Sequence, residues 1–279
     1  MCRILALPPM STRKEAIAIL ANMLGDNNDG TGEVYINKSG QFVVNKYPEP
    51  LAKVIKKGKT FLSHLPHAGW TLVHVRKASV GYINKENTHP FVALNGSMAM
   101  VHNGTLPNTR LLSMYLQTCE GYSATSDSGA ATELISRFGM KDFTDWVNWG
   151  GVFISLNIDG SLEIGKVSGQ LALHIKADKT ILLASELDDK RYKSLELPNG
   201  WFKYSAEGKY VKHKVKQFEW EGYEPETTTV YENLGGVHFQ GEGLGAKSQA
   251  SEFSHLLPAH YQARTAQSEA ERQAIYSMD

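Results

Sequence analysis

Four short segments of this 279-residue chain carry side chains of the types that chemistry requires. The first is Cys2. A small second residue favours removal of the initiator methionine, which would place a thiol and a free α-amine on one carbon skeleton. An α-amine titrates at about 7.7 to 8, so it is a competent base at neutral pH. A thiol near about 8.5 is readily activated. Together they make a base-activated nucleophile. The plainer reading of Cys2 is a small apolar residue opening a buried strand. The second segment is His74-Val-Arg76-Lys-Ala-Ser79-Val-Gly81, in which Arg76 ends an apolar run. Its guanidinium needs an anion, and its planar fork fits a carboxylate; a structural ion pair would satisfy it equally. In the third, Asn87-Thr-His89-Pro90-Phe91 is followed by His102-Asn103-Gly104-Thr105. A strand stopping at Asn-Gly exposes an amide and a backbone N–H, the donors of an oxyanion hole, or makes an ordinary turn. The fourth is Thr125-Ser126-Asp127-Ser128. There Asp127 is either a helix cap or the partner of a ligand ammonium.

These segments need a scaffold, and the apolar periodicity supplies one. Cys2 to Leu7 reads as a buried strand. Thr12 and Glu15 form a capping box before a helix with apolar positions at Ala16, Ile19, Leu20 and Met23. A hairpin is expected around Asn37 to Gly40, and a short helix over Pro50 to Lys57. Strands follow at Trp70 to Arg76 and Ser97 to Val101. Helices are predicted at Asn108 to Thr118, Ser128 to Phe138 and Asp142 to Trp149. A strand meander comes next: Val152 to Ile158, Leu162 to Val167, Leu171 to Ile175 and Thr180 to Ala184. Its turns are Asp159-Gly160, Ser168-Gly169 and Asp178-Lys179. Trp201 to Tyr204 and Tyr210 to Val215 close the pattern. Strands flanking a helical middle suit an α+β layered fold with mostly antiparallel sheets, not a doubly wound parallel sheet.

Cys2, HVRKAS, THPF…HNGTL and TSDS, in this order and spacing, resemble the class II glutamine amidotransferase domain. The resemblance runs over about residues 2 to 215, including the strand meander and Leu182-Leu183-Ala184-Ser185-Glu186. It implies a four-layer α/β/β/α N-terminal nucleophile hydrolase sandwich. It also implies roles. Cys2 attacks the side-chain amide of glutamine, its α-amine serving as base and then acid. Asn103 and Gly104 form the oxyanion hole. Arg76, helped by Ser79, grips the substrate α-carboxylate, and Asp127 pairs with the α-ammonium. The expected reaction is thioester formation on Cys2, ammonia release and hydrolysis to glutamate, with no cofactor and no metal. Three positions depart from the family pattern. Lys77 stands where an aromatic is common and Val80 where a histidine is, and Ser128-Gly129-Ala130 lacks the acidic residue that often follows the aspartate. The variant looks nearer to stand-alone members, whose ammonia would pass to a separate partner synthetase or ATP-dependent ligase. Two rival readings are a γ-glutamyl or other amide hydrolase without an acceptor, and a non-catalytic binding or structural subunit.

Composition sets the outer bounds. Lys+Arg and Asp+Glu are both 29, so the basic excess of a nucleic-acid binder is missing. Apolar stretches such as Gly150 to Asn157 fall far short of the ~18 residues that span a bilayer, and the N-terminus lacks a signal-peptide pattern. A cytoplasmic protein is expected, with neither nucleic-acid nor membrane partners. Two cysteines, Cys2 and Cys119, make no disulfide framework. The amidotransferase-like domain is expected over residues 1–215. Residues 216–279 are acidic and threonine-rich, then glycine-rich. They read as an extended linker or arm with a possible terminal helix.

Overall fold

The computed structural model describes residues 2–23, 27–57, 60–78, 82–106, 109–122, 124–147, 150–178 and 180–215. The arm expected over 216–279 lies outside them. The chain opens with β1 (Arg3–Leu7), α1 (Arg13–Met23), β2 (Gly30–Ile36), β3 (Phe42–Tyr47), α2 (Leu51–Lys56) and β4 (Thr71–Arg76). Two strands, β5 (Phe91–Val92) and β6 (Met98–Asn103), lead to α3 (Thr109–Glu120), α4 (Asp127–Phe138) and α5 (Met140–Trp146). Then come β7 (Val152–Asn157), β8 (Leu162–Lys166), β9 (Ala172–Lys176), β10 (Ile181–Ala184), β11 (Tyr192–Glu196), β12 (Gly200–Tyr204) and β13 (Tyr210–Val215). One compact unit takes in residues 1–113 and 123–216; residues 114–122, the rest of α3 and the two residues after it, belong to a second.

The strands of the first unit make two antiparallel sheets. The seven-stranded sheet has the order β11-β9-β10-β1-β4-β2-β3, and the six-stranded sheet β13-β12-β8-β7-β6-β5. Strand periodicity explains how they stack. On β1, Ile4 and Ala6 join Val34 and Leu72 against Ala99, Val101, Val152, Ile154 and Phe202 of the other sheet. The alternate residues Leu5 and Leu7 turn away and pack on Ile19, Leu20, Leu51 and Val54 of α1 and α2. β1 is therefore apolar on both faces, which is why its sequence, RILAL, reads as one run. α4 packs on β5 and β6, and α5 on β8 and β12, covering the outer face of the second sheet. The layers run α/β/β/α. The architecture is the expected mixed α and β fold with two antiparallel sheets.

Three local expectations change. Thr12 Oγ1 accepts from the Glu15 N–H at 3.3 Å, but the Glu15 carboxylate does not return to close a capping box. It is held by Lys176 Nζ at 2.7 Å and Tyr192 Oη at 2.9 Å, a charged partner and a phenol brought in by β9 and β11. The meander divides. β7 and β8 form the hairpin at Asp159-Gly160, and β9 and β10 pair beside Asp178. The Ser168-Gly169 stretch instead carries the chain from one sheet to the other. Alternating apolar residues suit either sheet, so local pattern does not name the partner strand. The edge strand β11 was not expected, because its residues after Tyr192 are exposed and carry no apolar alternation.

A buried carboxylate ties β2 to the segment before β4. Glu33 is fully buried. It accepts from Asn45 Nδ2 and from the Leu62 N–H, each at 2.8 Å. Burial nevertheless pushes its pKa up to about 7, the two hydrogen bonds only partly opposing this. The sign follows. Between the ordinary carboxylate pKa and about 7, the folded state holds more protons than the unfolded one, so stability falls as pH rises through that window. In Glu33→Gln the side-chain oxygen can keep the Leu62 N–H while the Asn45 amide turns to accept. We expect urea unfolding of Glu33→Gln to lose the decline seen in wild type from about pH 4.5 to 7. That decline amounts to about 3 kcal/mol at most. A parallel decline in both proteins would contradict this.

Candidate active site

The position of Cys2 follows from strand register. Arg3 on β1 pairs with Val75 on β4, so the residue before Arg3 emerges beside the end of β4. There the Cys2 sulfur accepts from the Lys77 N–H at 3.4 Å, and the thiol points to the Lys77 carbonyl at 3.4 Å. Burial pushes the thiol pKa above its ordinary value. The Lys77 hydrogen bond and the Arg76 charge pull it down, and Asp127 adds to the rise. The net direction disfavours a standing thiolate, so reaction at this sulfur needs a base.

Arg76 is 5% exposed at the last position of β4. Its Nη1 donates to the Tyr82 carbonyl at 3.0 Å. The turn that follows is braced from β2's approach: the Asp29 N–H donates to the Arg76 carbonyl at 3.1 Å, and Asp29 Oδ2 accepts from the Ala78 N–H at 2.7 Å. Ser79, the expected helper, lies outside the described residues.

Asp127 opens α4 without capping it. Ser126 is the cap, its Oγ accepting from the Gly129 N–H at 3.1 Å. This leaves the Asp127 carboxylate to accept from Ser128 N–H at 2.8 Å through Oδ1 and from Leu106 N–H at 3.0 Å through Oδ2. Two backbone donors orient the anion and link the helix start to the chain just beyond β6.

β6 ends at Asn103, and Gly104 follows. Gly104 has φ of 157°, and a Cβ there would meet the Gly150 carbonyl oxygen at 2.0 Å. Backbone against backbone cannot give way, so only glycine fits. The same contact places the Gly104 backbone at the site. His102 secures it from beneath. One ring nitrogen, Nε2, lies 2.7 Å from the Gly150 carbonyl and must be the donor; Nδ1 then accepts from Ser128 Oγ at 3.0 Å. The ring stacks on Phe153.

Cys2, Arg76, Gly104 and Asp127 line one cavity of about 40 Å³. The structure therefore brings together four of the six expected site residues from β1, β4, the end of β6 and α4. Asn103, 7% exposed, adjoins this cavity in sequence but does not line it. Lys77, Asn87 and His89 also face the cavity. The sequence signal for the last two was the Asn87-Thr-His89-Pro90-Phe91 motif, to which no separate role could be given. Among the described residues, no group of three or more His, Cys, Asp or Glu is placed to hold a metal ion. No helix there is long and apolar enough to cross a membrane.

A two-sheet sandwich with its cavity at the start of β1 is the architecture of N-terminal nucleophile hydrolases. Residues 22–120 match the family described as class-II glutamine amidotransferases. That span includes Arg76, Asn103 and Gly104; it begins after Cys2 and stops before Asp127. Among solved structures, the chain is similar to the glutamine phosphoribosylpyrophosphate amidotransferase from B. subtilis complexed with ADP and GMP. The identity is 20% and the TM-score 0.62, over 77% of this chain and 49% of that one. It is also similar to an allosteric regulatory enzyme of purine biosynthesis, with 19% identity and TM-score 0.63 over the same shares. The chain thus spans about half the length of each of these relatives. A search of curated proteins finds no match. The chain therefore has the N-terminal nucleophile hydrolase fold, and about a third of it, residues 22–120, is similar to the class-II glutamine amidotransferases.

Gly104→Ala tests the close approach. The added methyl must push the Gly150 backbone away, and we expect a stability loss of about 2 kcal/mol or more in urea unfolding. An unchanged midpoint would show that the Gly104–Gly150 contact does not constrain the fold.

Proposed function

We propose that this domain hydrolyses the side-chain amide of glutamine through a thioester on Cys2. It would release glutamate and pass ammonia to a separate synthetase or ATP-dependent ligase. The observation that carries the reading is the shared cavity of Cys2, Arg76, Gly104 and Asp127. Glutamine presents one amide, one carboxylate and one ammonium, and the cavity offers a partner for each. The family match and the glutamine-dependent enzyme among the similar structures support the same substrate.

The chemistry fits the electrostatics. In the mature chain beginning at Cys2, the α-amine takes the thiol proton as the sulfur attacks the amide carbon. A thiol raised by burial makes that base necessary. The oxyanion is met by the Gly104 N–H; the Asn103 amide, which does not line the cavity in this structure, is taken as the second donor on the family resemblance alone. The base returns its proton to the leaving ammonia, the thioester remains, and water resolves it to glutamate. Arg76 holds the α-carboxylate with its fork, and Asp127 holds the α-ammonium. No step requires a cofactor.

Cys2→Ala should reduce glutamate release from glutamine by about three orders of magnitude or more while leaving the melt intact, since little packing volume is lost. Activity equal to wild type would end the nucleophile assignment. The intact mass of the purified protein gives the companion test, a chain beginning at Cys2. Arg76→Lys keeps the charge and loses the fork, so KM for glutamine should rise at least about tenfold, the equivalent of about 1.4 kcal/mol. Unchanged KM with a lowered melting temperature would make Arg76 a structural ion instead.

A further inference from the structure

His89 is a polar side chain at the cavity that the proposed reaction does not use. It is 6% exposed and lines the cavity with Cys2. Its ring lies 4.0 Å from that of His74, centroid to centroid, and edge-on to Phe91 at 4.9 Å. His74 donates through Nε2 to the His102 carbonyl at 3.1 Å, and both nitrogens of His102 are engaged. His89 is different. Neither Nδ1 nor Nε2 has a hydrogen-bond partner among the described residues. Leaving a buried polar group unpaired costs about 1–3 kcal/mol, and this ring has two. β2 carries Gly32 where a Cβ would meet the His89 carbonyl oxygen at 1.9 Å, so the backbone at His89 is seated closely against β2.

Charge decides what such a ring can do. Burial, then His74 and His102, then Lys46 and Arg76, hold its pKa well below the ordinary value. A neutral imidazole presents one N–H and one lone pair. The charged groups of glutamine, its oxyanion and the nucleophile already have partners in Arg76, Asp127, Asn103–Gly104 and Cys2. The remaining reactant is the water of the second half-reaction, which both donates and accepts. We infer that His89 holds the water that resolves the Cys2 thioester, an inference that rests on the thioester reading above. In that step the water oxygen bonds to the thioester carbonyl carbon and the carbon–sulfur bond breaks. One water proton goes to the α-amine and from there to the sulfur, giving glutamate and the free thiol. His89 orients the water and does not take its proton.

Hydroxylamine separates this step from the first. It attacks the same thioester, yielding γ-glutamyl hydroxamate, and needs no ordered water. We compare wild type, His89→Phe, which keeps a ring but no nitrogen, and His89→Gln, which keeps a donor and an acceptor. With glutamine alone, His89→Phe should release glutamate about tenfold or more slowly, while hydroxamate formation with hydroxylamine stays within about twofold of wild type. Acyl-enzyme should accumulate in His89→Phe by intact mass, and His89→Gln should recover much of the hydrolysis. His89→Leu carries the same comparison if His89→Phe loses its cooperative melt. Parallel loss of glutamate and hydroxamate without acyl-enzyme would overturn the inference, placing His89 in substrate binding or acylation. If wild type forms neither product from glutamine, the thioester reading itself falls.

Discussion

The face-to-face burial of two antiparallel sheets is the constraint on which the rest depends. Ile4 and Ala6 of β1 are sealed between the sheets, while Leu5 and Leu7 are sealed under α1 and α2. A strand buried on both faces cannot slip by one residue without exchanging the two sets. Each large apolar side chain so buried is worth about 1.5–3 kcal/mol, so the register is held by several at once. The position of Cys2 is a consequence. It is the residue just before a strand whose register the core dictates, and the pairing of Arg3 with Val75 delivers it to the end of β4.

A smaller set of polar contacts ties the two sheets at that same end. His74 of the seven-stranded sheet donates to the backbone of His102 in the six-stranded sheet. His102 in turn holds the Gly150 carbonyl and the Ser128 hydroxyl at the start of α4. Asp127, next to Ser128, reaches the Leu106 N–H beyond β6. Cys2, the strand end at Gly104 and the carboxylate of α4 are therefore not three independent placements. Moving one shifts buried hydrogen bonds that serve the others. All three histidines at this junction titrate below their ordinary value, chiefly through burial, so they act as fixed neutral dipoles and not as charges. The cations and anions that face the cavity come from Arg76, Lys77 and Asp127.

Much of this was legible in the linear order of residues. The apolar periods located most of the strands and helices within a residue or two, because burial on one or two faces imposes period 2 or 3.6 wherever the partner lies. The Asp159-Gly160 and Asn37-to-Gly40 turns were legible because tight turns depend on their own residues; Asn37 Oδ1 accepts from both Ser39 and Gln41 N–H groups. The grouping of Cys2, Arg76, Gly104 and Asp127 was expected from the resemblance to the class II glutamine amidotransferase domain, each motif having an ordinary structural explanation when taken alone.

The tertiary structure decided what depends on contacts far apart in sequence. Glu15 suits a capping box, yet Lys176 and Tyr192 claim its carboxylate, because a charged partner from another strand outweighs a local N–H. Ser168-Gly169 has the composition of a hairpin turn, yet the chain there changes sheets, since alternation is the same on either. Glu33 does not stand out in the sequence, and His89 stands in a motif to which no separate role could be given. Only their burial, with donors supplied to one and none to the other, sets one apart as a raised carboxyl and the other as an unpartnered imidazole beside Cys2. Residue type and spacing determined which side chains could do chemistry; the packing of two sheets decided which of them meet, because desolvation and hydrogen-bond partnership are properties of a place in space.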